Sequence, residues 1–444
     1  MKFAIWSDVL KRCVPIAAFY AVAAIGVRGA TAPPTGIAAK YTGPGACSSV
    51  SCHGSVQPRS QSSILQNEYA TWTLLDKHAN ANMVLTNDVS KGIGRILGLR
   101  PERSAKCLDC HSLSAQPEQL ARSFDSHDGI SCESCHGPAS NWLGPHTTKG
   151  WTHSRSIELG MVDLRDPIEC TETCLSCHLG TASKWVDHEM IAAGHPDLYF
   201  ELDSFLAAMP KHWKPLGDDS WADVRFLATG ASVQLRENMR RIARETTRFW
   251  PEYSELDCFA CHHNLSSSKN NWRQERGYAG RRAGSPSWNG SRYAVLKLIV
   301  EQVDGDDAQR LERGLARVNS LVSDITADRR QIAAASQAAG ELADQIARRM
   351  ARHRFDSQGV LKLIRHISGA AEWVSDQGER SAEQAAMVLN SLAIAYCENA
   401  KPPRLFQTEL KAAVTALFRQ LNSPSAYSPH QFSSQMSALN ALIH

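Results

Sequence analysis

Ten of the 13 cysteines in this 444-residue chain fall into five pairs, and each pair is followed at once by histidine. Four pairs have the form Cys-x-x-Cys-His: Cys107/Cys110-His111, Cys132/Cys135-His136, Cys174/Cys177-His178 and Cys258/Cys261-His262. The fifth, Cys47/Cys52-His53, has four residues between its cysteines. With 17 histidines in 444 positions, five such coincidences have a chance probability of about 10⁻⁷, and the pattern is the haem-attachment signature. Zinc ribbons also pair cysteines but need no histidine directly after each second one. A thioredoxin-like redox pair would sit in a βαβ pattern, and none is visible. The chemistry accounts for the spacing. Two thiols add across the two vinyl groups of one porphyrin as thioethers, and the adjacent histidine reaches the iron from the same side. The cofactor expected is haem c, five copies, covalently attached.

Each iron has a second axial position. The stretch from Cys47 to His263 holds eight histidines outside the motifs: His78, His127, His146, His153, His188, His195, His212 and His263. A lone histidine is more often a satisfied polar residue than a ligand, but here five irons compete for eight candidates. A second histidine makes a six-coordinate haem suited to electron transfer, and an iron without one could bind a small molecule. His127 could cap the second haem or be an exposed loop histidine, and His153, His212 and His263 are weaker candidates. Cys13, Cys170 and Cys397 lie outside the motifs, and Cys397 reads as an apolar residue of a helix.

The elements that must position these groups divide the chain in two. Five porphyrins over the stretch from Cys47 to His263, within a domain at residues 40–265, leave about 43 residues each, too few side chains for an ordinary core around every ring. The rings are expected to supply much of the buried apolar surface, between short helices and long loops. The fold class is mainly α, because strand signals are scarce. A connector at 266–290, rich in Gly, Ser, Arg and Asn, leads to an all-α domain at 291–444. There Leu311, Leu315, Val318, Val322 and Ile325 share one helix face, as do Ile332, Ala335, Ala339, Leu342, Ile346 and Met350. Ser381 with Gln384 reads as a capping box, and Ser428-Pro429 as an N-cap followed by proline. Roughly six helices are expected here.

Composition sets further limits. Lys plus Arg is 48 and Asp plus Glu is 45, a formal charge of +3, which argues against a dedicated nucleic-acid binder. At the N-terminus, Lys2, Lys11 and Arg12 precede an apolar run from Val14 to Val27 and the small residues Gly29 to Ala32. Residues 1–32 read as a secretory signal, or else as an N-terminal anchor, because cleavage after Ala32 would leave Pro33 next. Membrane association is expected only through this segment, and the body of the protein in the periplasm.

The haem-bearing part resembles the cytochrome c-554 group of the hydroxylamine-oxidoreductase-like multihaem cytochromes. The resemblance covers roughly residues 40–215. It rests on Glu68-Tyr69-Ala70-Thr71-Trp72 with Lys77-His78-Ala79-Asn80-Ala81 after the first motif, on Gly129-Ile130-Ser131-Cys132-Glu133-Ser134-Cys135-His136-Gly137-Pro138 with His146 beyond it, on the histidines after the fourth motif, and on motif order. It implies that His146 caps the iron of His53, that His78 reaches the iron of His178, and that His188 or His195 caps that of His136. The other of His188 and His195 goes to the fifth iron, at His262. In that family the second haem can lack a distal ligand, so the resemblance makes the haem of His111 the candidate open site. The stretched first motif, the fifth haem and the C-terminal extension depart from the family pattern.

Two functions follow. One is a periplasmic carrier relaying single electrons between other redox proteins. The alternative is an enzyme acting on hydroxylamine, nitrite or nitric oxide at one open haem, although the Cys-x-x-Cys-Lys motif usual in pentahaem nitrite reductases is missing. The C-terminal helices read as a structural bundle or as a surface for homo-oligomerisation.

Overall fold

Three of the four regular attachment motifs close a helix on their own histidine. In the computed structural model these helices are α3 (Ala105–His111), α4 (Cys132–His136) and α6 (Pro167–His178), set among α1 (Glu68–Leu75), α2 (Asp88–Leu97), α5 (His153–Glu158), α7 (His188–Ala192) and α8 (Leu202–Ala208). The structure describes residues 38–443 apart from 63, 182, 215–218, 259–260, 263–285 and 423–426. The N-terminal segment 1–32, His263 and most of the connector 266–290 lie outside the described residues.

Local chemistry sets these ends. Asp166 caps α6 by accepting the N–H groups of Ile168 and Glu169, with Pro167 in the first turn, the favoured start of a helix. Gly137 stops α4 with φ +77°, where a Cβ would lie 2.9 Å from the carbonyl oxygen of Gly160, so only glycine fits. Tyr41–Leu120 and Leu256–Trp288 form isolated bridges, and there is no strand among the described residues.

From residue 222 the chain changes character. Helix α9 (Ala222–Glu245) is followed by α10 (Ser291–Val303), α11 (Gly305–Val322), α12 (Arg329–Met350), α13 (Ser357–Gly369), α14 (Ala371–Asp376), α15 (Glu379–Ala400), α16 (Arg404–Arg419) and α17 (Pro429–Ala441). Among the described residues eight helices lie beyond residue 290, not six, and one of the two extra comes from a break at Ala370 that separates α14 from α13. The two predicted stripes on α11 and α12 face the core, except that Ile325 is 88% exposed because α11 ends at Val322. Ser428 caps α17 by accepting from Gln431. Ser381 caps nothing. α15 begins earlier, after Gly378 at φ +101°, and Ser381 is buried inside it.

Helix α9 joins the two halves. Val224, Leu227, Leu235, Met239 and Ile242 belong to the core of the C-terminal helices, while Val233 packs with Cys170, Leu175, Leu179, Phe200 and Leu202 of the haem-bearing part. A helix buried nearly all round is held from both sides, and at about 1.5–3 kcal/mol per buried side chain these contacts outweigh any intrinsic helix preference. Its closest neighbour is α12. Two buried arginines reinforce the junction. Arg236, 1% exposed, pairs with Glu172 of α6, with Glu237 and with Asp344 of α12. Arg241 donates to the carbonyl of Leu179 and to Glu255. Among the described residues no helix is long and apolar enough to cross a membrane.

Candidate haem centres

Four of the five motif histidines have a second imidazole opposite them. Ring centres are 6.2 Å apart for His53 and His146, 6.1 Å for His78 and His178, 6.5 Å for His111 and His195, and 6.3 Å for His188 and His262. Two metal–nitrogen bonds of about 2 Å, each continued by the roughly 1.1 Å from nitrogen to ring centre, separate two such centres by about 6 Å. The rings thus stand at the distance at which one metal ion joins them.

The other ring nitrogen is held in most of these histidines. Nδ1 of His53 bonds Glu68 Oε2 at 3.0 Å, that of His78 bonds Asp76 Oδ1 at 3.0 Å, and that of His111 bonds the Ala81 carbonyl at 2.9 Å. His146 uses the Leu143 carbonyl at 2.5 Å and His195 the Pro196 carbonyl at 2.8 Å. An acceptor on Nδ1 fixes the tautomer and orients Nε2 toward a metal. The bond to Glu68 raises the pKa of His53 and the bond to Asp76 raises that of His78, whereas burial, with the charge of His78, pushes His178 down to about 4.

The surroundings fit a porphyrin. Between residues 38 and 165, Leu85, Cys107, Ala139 and Trp142 are the buried hydrophobic side chains among the described residues, while Leu74, Leu75, Met83, Val89 and Ile96 stay exposed. So few buried groups cannot hold such a segment together by hydrophobic burial alone. Asn141 Nδ2, Trp142 Nε1 and Trp185 Nε1 are buried donors with no acceptor among the described residues, the kind of orphan that a cofactor's carboxylates satisfy. The attachment segments also touch in couples. The Cys47 thiol lies close enough to that of Cys132 to shift its acidity, and the Cys110 thiol likewise to that of Cys177. The first motif therefore lies beside the third, and the second beside the fourth.

These placements change two expectations. His195 faces His111, so the candidate open site has an imidazole opposite it. His188 faces His262, so neither member of that pair serves His136. The reason is local. Helix α7 ends at Ala192 and Gly194 takes φ +110°, so His195 leaves the direction of the helix that carries His188.

His136 has no facing imidazole at that separation among the described residues. Burial drives its pKa down to about 4, and the charges of His212, His53 and His153 act in the same direction. His153 spends its Nε2 on Asp163 at 2.9 Å. His212 holds Nδ1 on the Pro210 carbonyl at 3.1 Å, the same anchoring as the paired rings, with Nε2 uncommitted. His127 is 82% exposed on Asp125 and faces no other imidazole.

Residues 46–137, which span the first three motifs, match the family described as cytochrome c554 and c-prime. That segment is similar to the cytochrome c554 family. Covalently bound haem c and the chemistry of a c-type cytochrome come with that match. The searches of curated proteins and of solved structures return no match. Within this c-554-like segment the partners Glu68 and Asp76 were not singled out by motif reading. A usable signal was present in Asp76, two residues before His78, where its side chain also accepts that residue's backbone N–H at 3.0 Å.

Proposed function

We propose that this c-type cytochrome is an exported, five-haem electron carrier that passes single electrons between other redox proteins in the periplasm. The observation that carries the reading is the four imidazole pairs 6.1–6.5 Å apart. Haem c supplies a reversible one-electron couple, and an iron with imidazole on both faces keeps no position for substrate. The chain's part is to hold each ring by its thioether cysteines, to orient its two histidines through Glu68, Asp76 and the backbone carbonyls, and to bring the attachment segments into contact. Cys47 with Cys52, Cys107 with Cys110, Cys132 with Cys135, Cys174 with Cys177, and Cys258 with Cys261 attach the five groups. His212 completes the set at His136. Near-neutral charge supports protein partners over nucleic acid, and the C-terminal helices offer a surface for self-association.

A second reading, an enzyme for hydroxylamine, nitrite or nitric oxide, draws support from one observation, the absence of a facing ring at His136 among the described residues. An electron paramagnetic resonance spectrum of the oxidised protein separates the two. The carrier gives low-spin signals only, and a high-spin signal altered by nitric oxide or cyanide would establish the enzyme. Mass spectrometry of the mature protein checks the remainder, with five haem additions and a start beyond the N-terminal apolar run expected.

A further inference from the structure

Glu133 lies between the two cysteines of the third motif, and its side chain is 1% exposed. A carboxylate so placed needs a reason. Its oxygens accept from the Thr42 N–H at 2.8 and 2.9 Å, the Gly43 N–H at 2.6 Å, the Ala139 N–H at 2.7 Å and the Thr42 hydroxyl at 3.2 Å. All of these partners are donors, which suits a carboxylate with its acceptor-only oxygens and not a protonated acid. No lysine or arginine pairs with it among the described residues. The charge is held by oriented N–H dipoles, which spread it without neutralising it.

Two of those donors, Thr42 and Gly43, lead directly into the turn Pro44–Cys47 that carries the first attachment cysteine. The Cys47 and Cys132 thiols are near enough to influence each other, and the charge of Glu133 acts on both. It also raises the pKa of Tyr41, second to burial. One buried anion thus sits at the contact between the first and third attachment segments. In a low-dielectric interior its field is far stronger than at the surface, and burial and local charge are among the levers that set haem potentials.

We propose that Glu133 is a positioning and potential-setting residue that pins the first haem segment against the third and lowers the reduction potentials of these two haems selectively. A buried negative charge favours the oxidised, more positive iron on either side of it. The proposal rests on the haem-bearing reading above but not on the choice between carrier and enzyme, since potentials are measured in either case.

The test is a spectroelectrochemical titration of the full-length, haem-loaded protein and its E133Q and E133D variants, with low-spin resonance signals assigning each step. E133Q is expected to raise two of the midpoint potentials and leave the others in place, and E133D to raise the same two by less, because the charge is kept but drawn back. If E133Q does not mature, E133D alone must still move that pair upward. Potentials that all stay put, or all move together, in a variant with full haem content overturn the proposal. Loss of the low-spin signals in both variants assigns Glu133 to folding alone and overturns it as well.

Discussion

The rings of His53 and His146 lie as parallel plates, 9° apart in plane, whereas His78 meets His178 edge-on at 82° and His111 meets His195 at 86°. Axial imidazole planes direct the splitting of the iron d orbitals they overlap. Parallel planes split the orbitals widely, and crossed planes leave them nearly degenerate. The low-spin resonance spectrum is therefore expected to show two classes. The His53/His146 site and the 34° His188/His262 site should give rhombic signals, and the two crossed sites strongly anisotropic ones. A spectrum of rhombic signals alone would contradict the ring angles.

His212→Ala is expected to convert one low-spin haem to high spin and to leave the other signals unchanged. His153→Ala is expected to leave all signals as they are, because its Nε2 bonds Asp163 and not a metal. The same spectra read both variants.

Asp203 sits beside Glu201 at the start of α8, and burial, then the charge of Glu201 and that of Asp223, pushes its pKa from 3.8 to about 7, against the bond from Ser391 and the charge of Lys211. Between those values the folded chain keeps a proton that the unfolded chain has released, so its contribution to stability is lost as pH rises from 4 to 7. Asp203→Asn is expected to stabilise the protein by roughly 1–3 kcal/mol at pH 8 and by little at pH 4. Urea unfolding followed by circular dichroism at the two pH values is the check.

Arg236→Ala leaves Glu172, Glu237 and Asp344 facing one another around a cavity. Removing one partner from a buried ion network costs about 3–5 kcal/mol, and the partial exposure of these carboxylates places the loss near the lower end. Thermal unfolding should show a clear drop, with haem attachment retained.

The motifs were legible because covalent chemistry dictates their spacing, and the stripes on α11 and α12 because a helix face repeats. Ligand partners were harder to read. His195 is turned by a single positive-φ glycine, and nothing in its neighbourhood announces that His111, far away in sequence, lies opposite. The capping pattern at Ser381 misled because Gly378 had already opened the helix. Helix α9 was not foreseen. Its apolar residues point in several directions, since both halves of the protein pack on it, and a single amphipathic face is therefore missing.

That two-sided packing has a consequence for dissection. Arg241 ties the residue after His178 to Glu255, just ahead of the Cys258 motif, so the last two attachment points share one strut whose far side is covered by the C-terminal bundle. A chain cut before residue 291 would keep every attachment cysteine and still strip that strut bare. Its last Cys-x-x-Cys-His motif would be the first to lose its address.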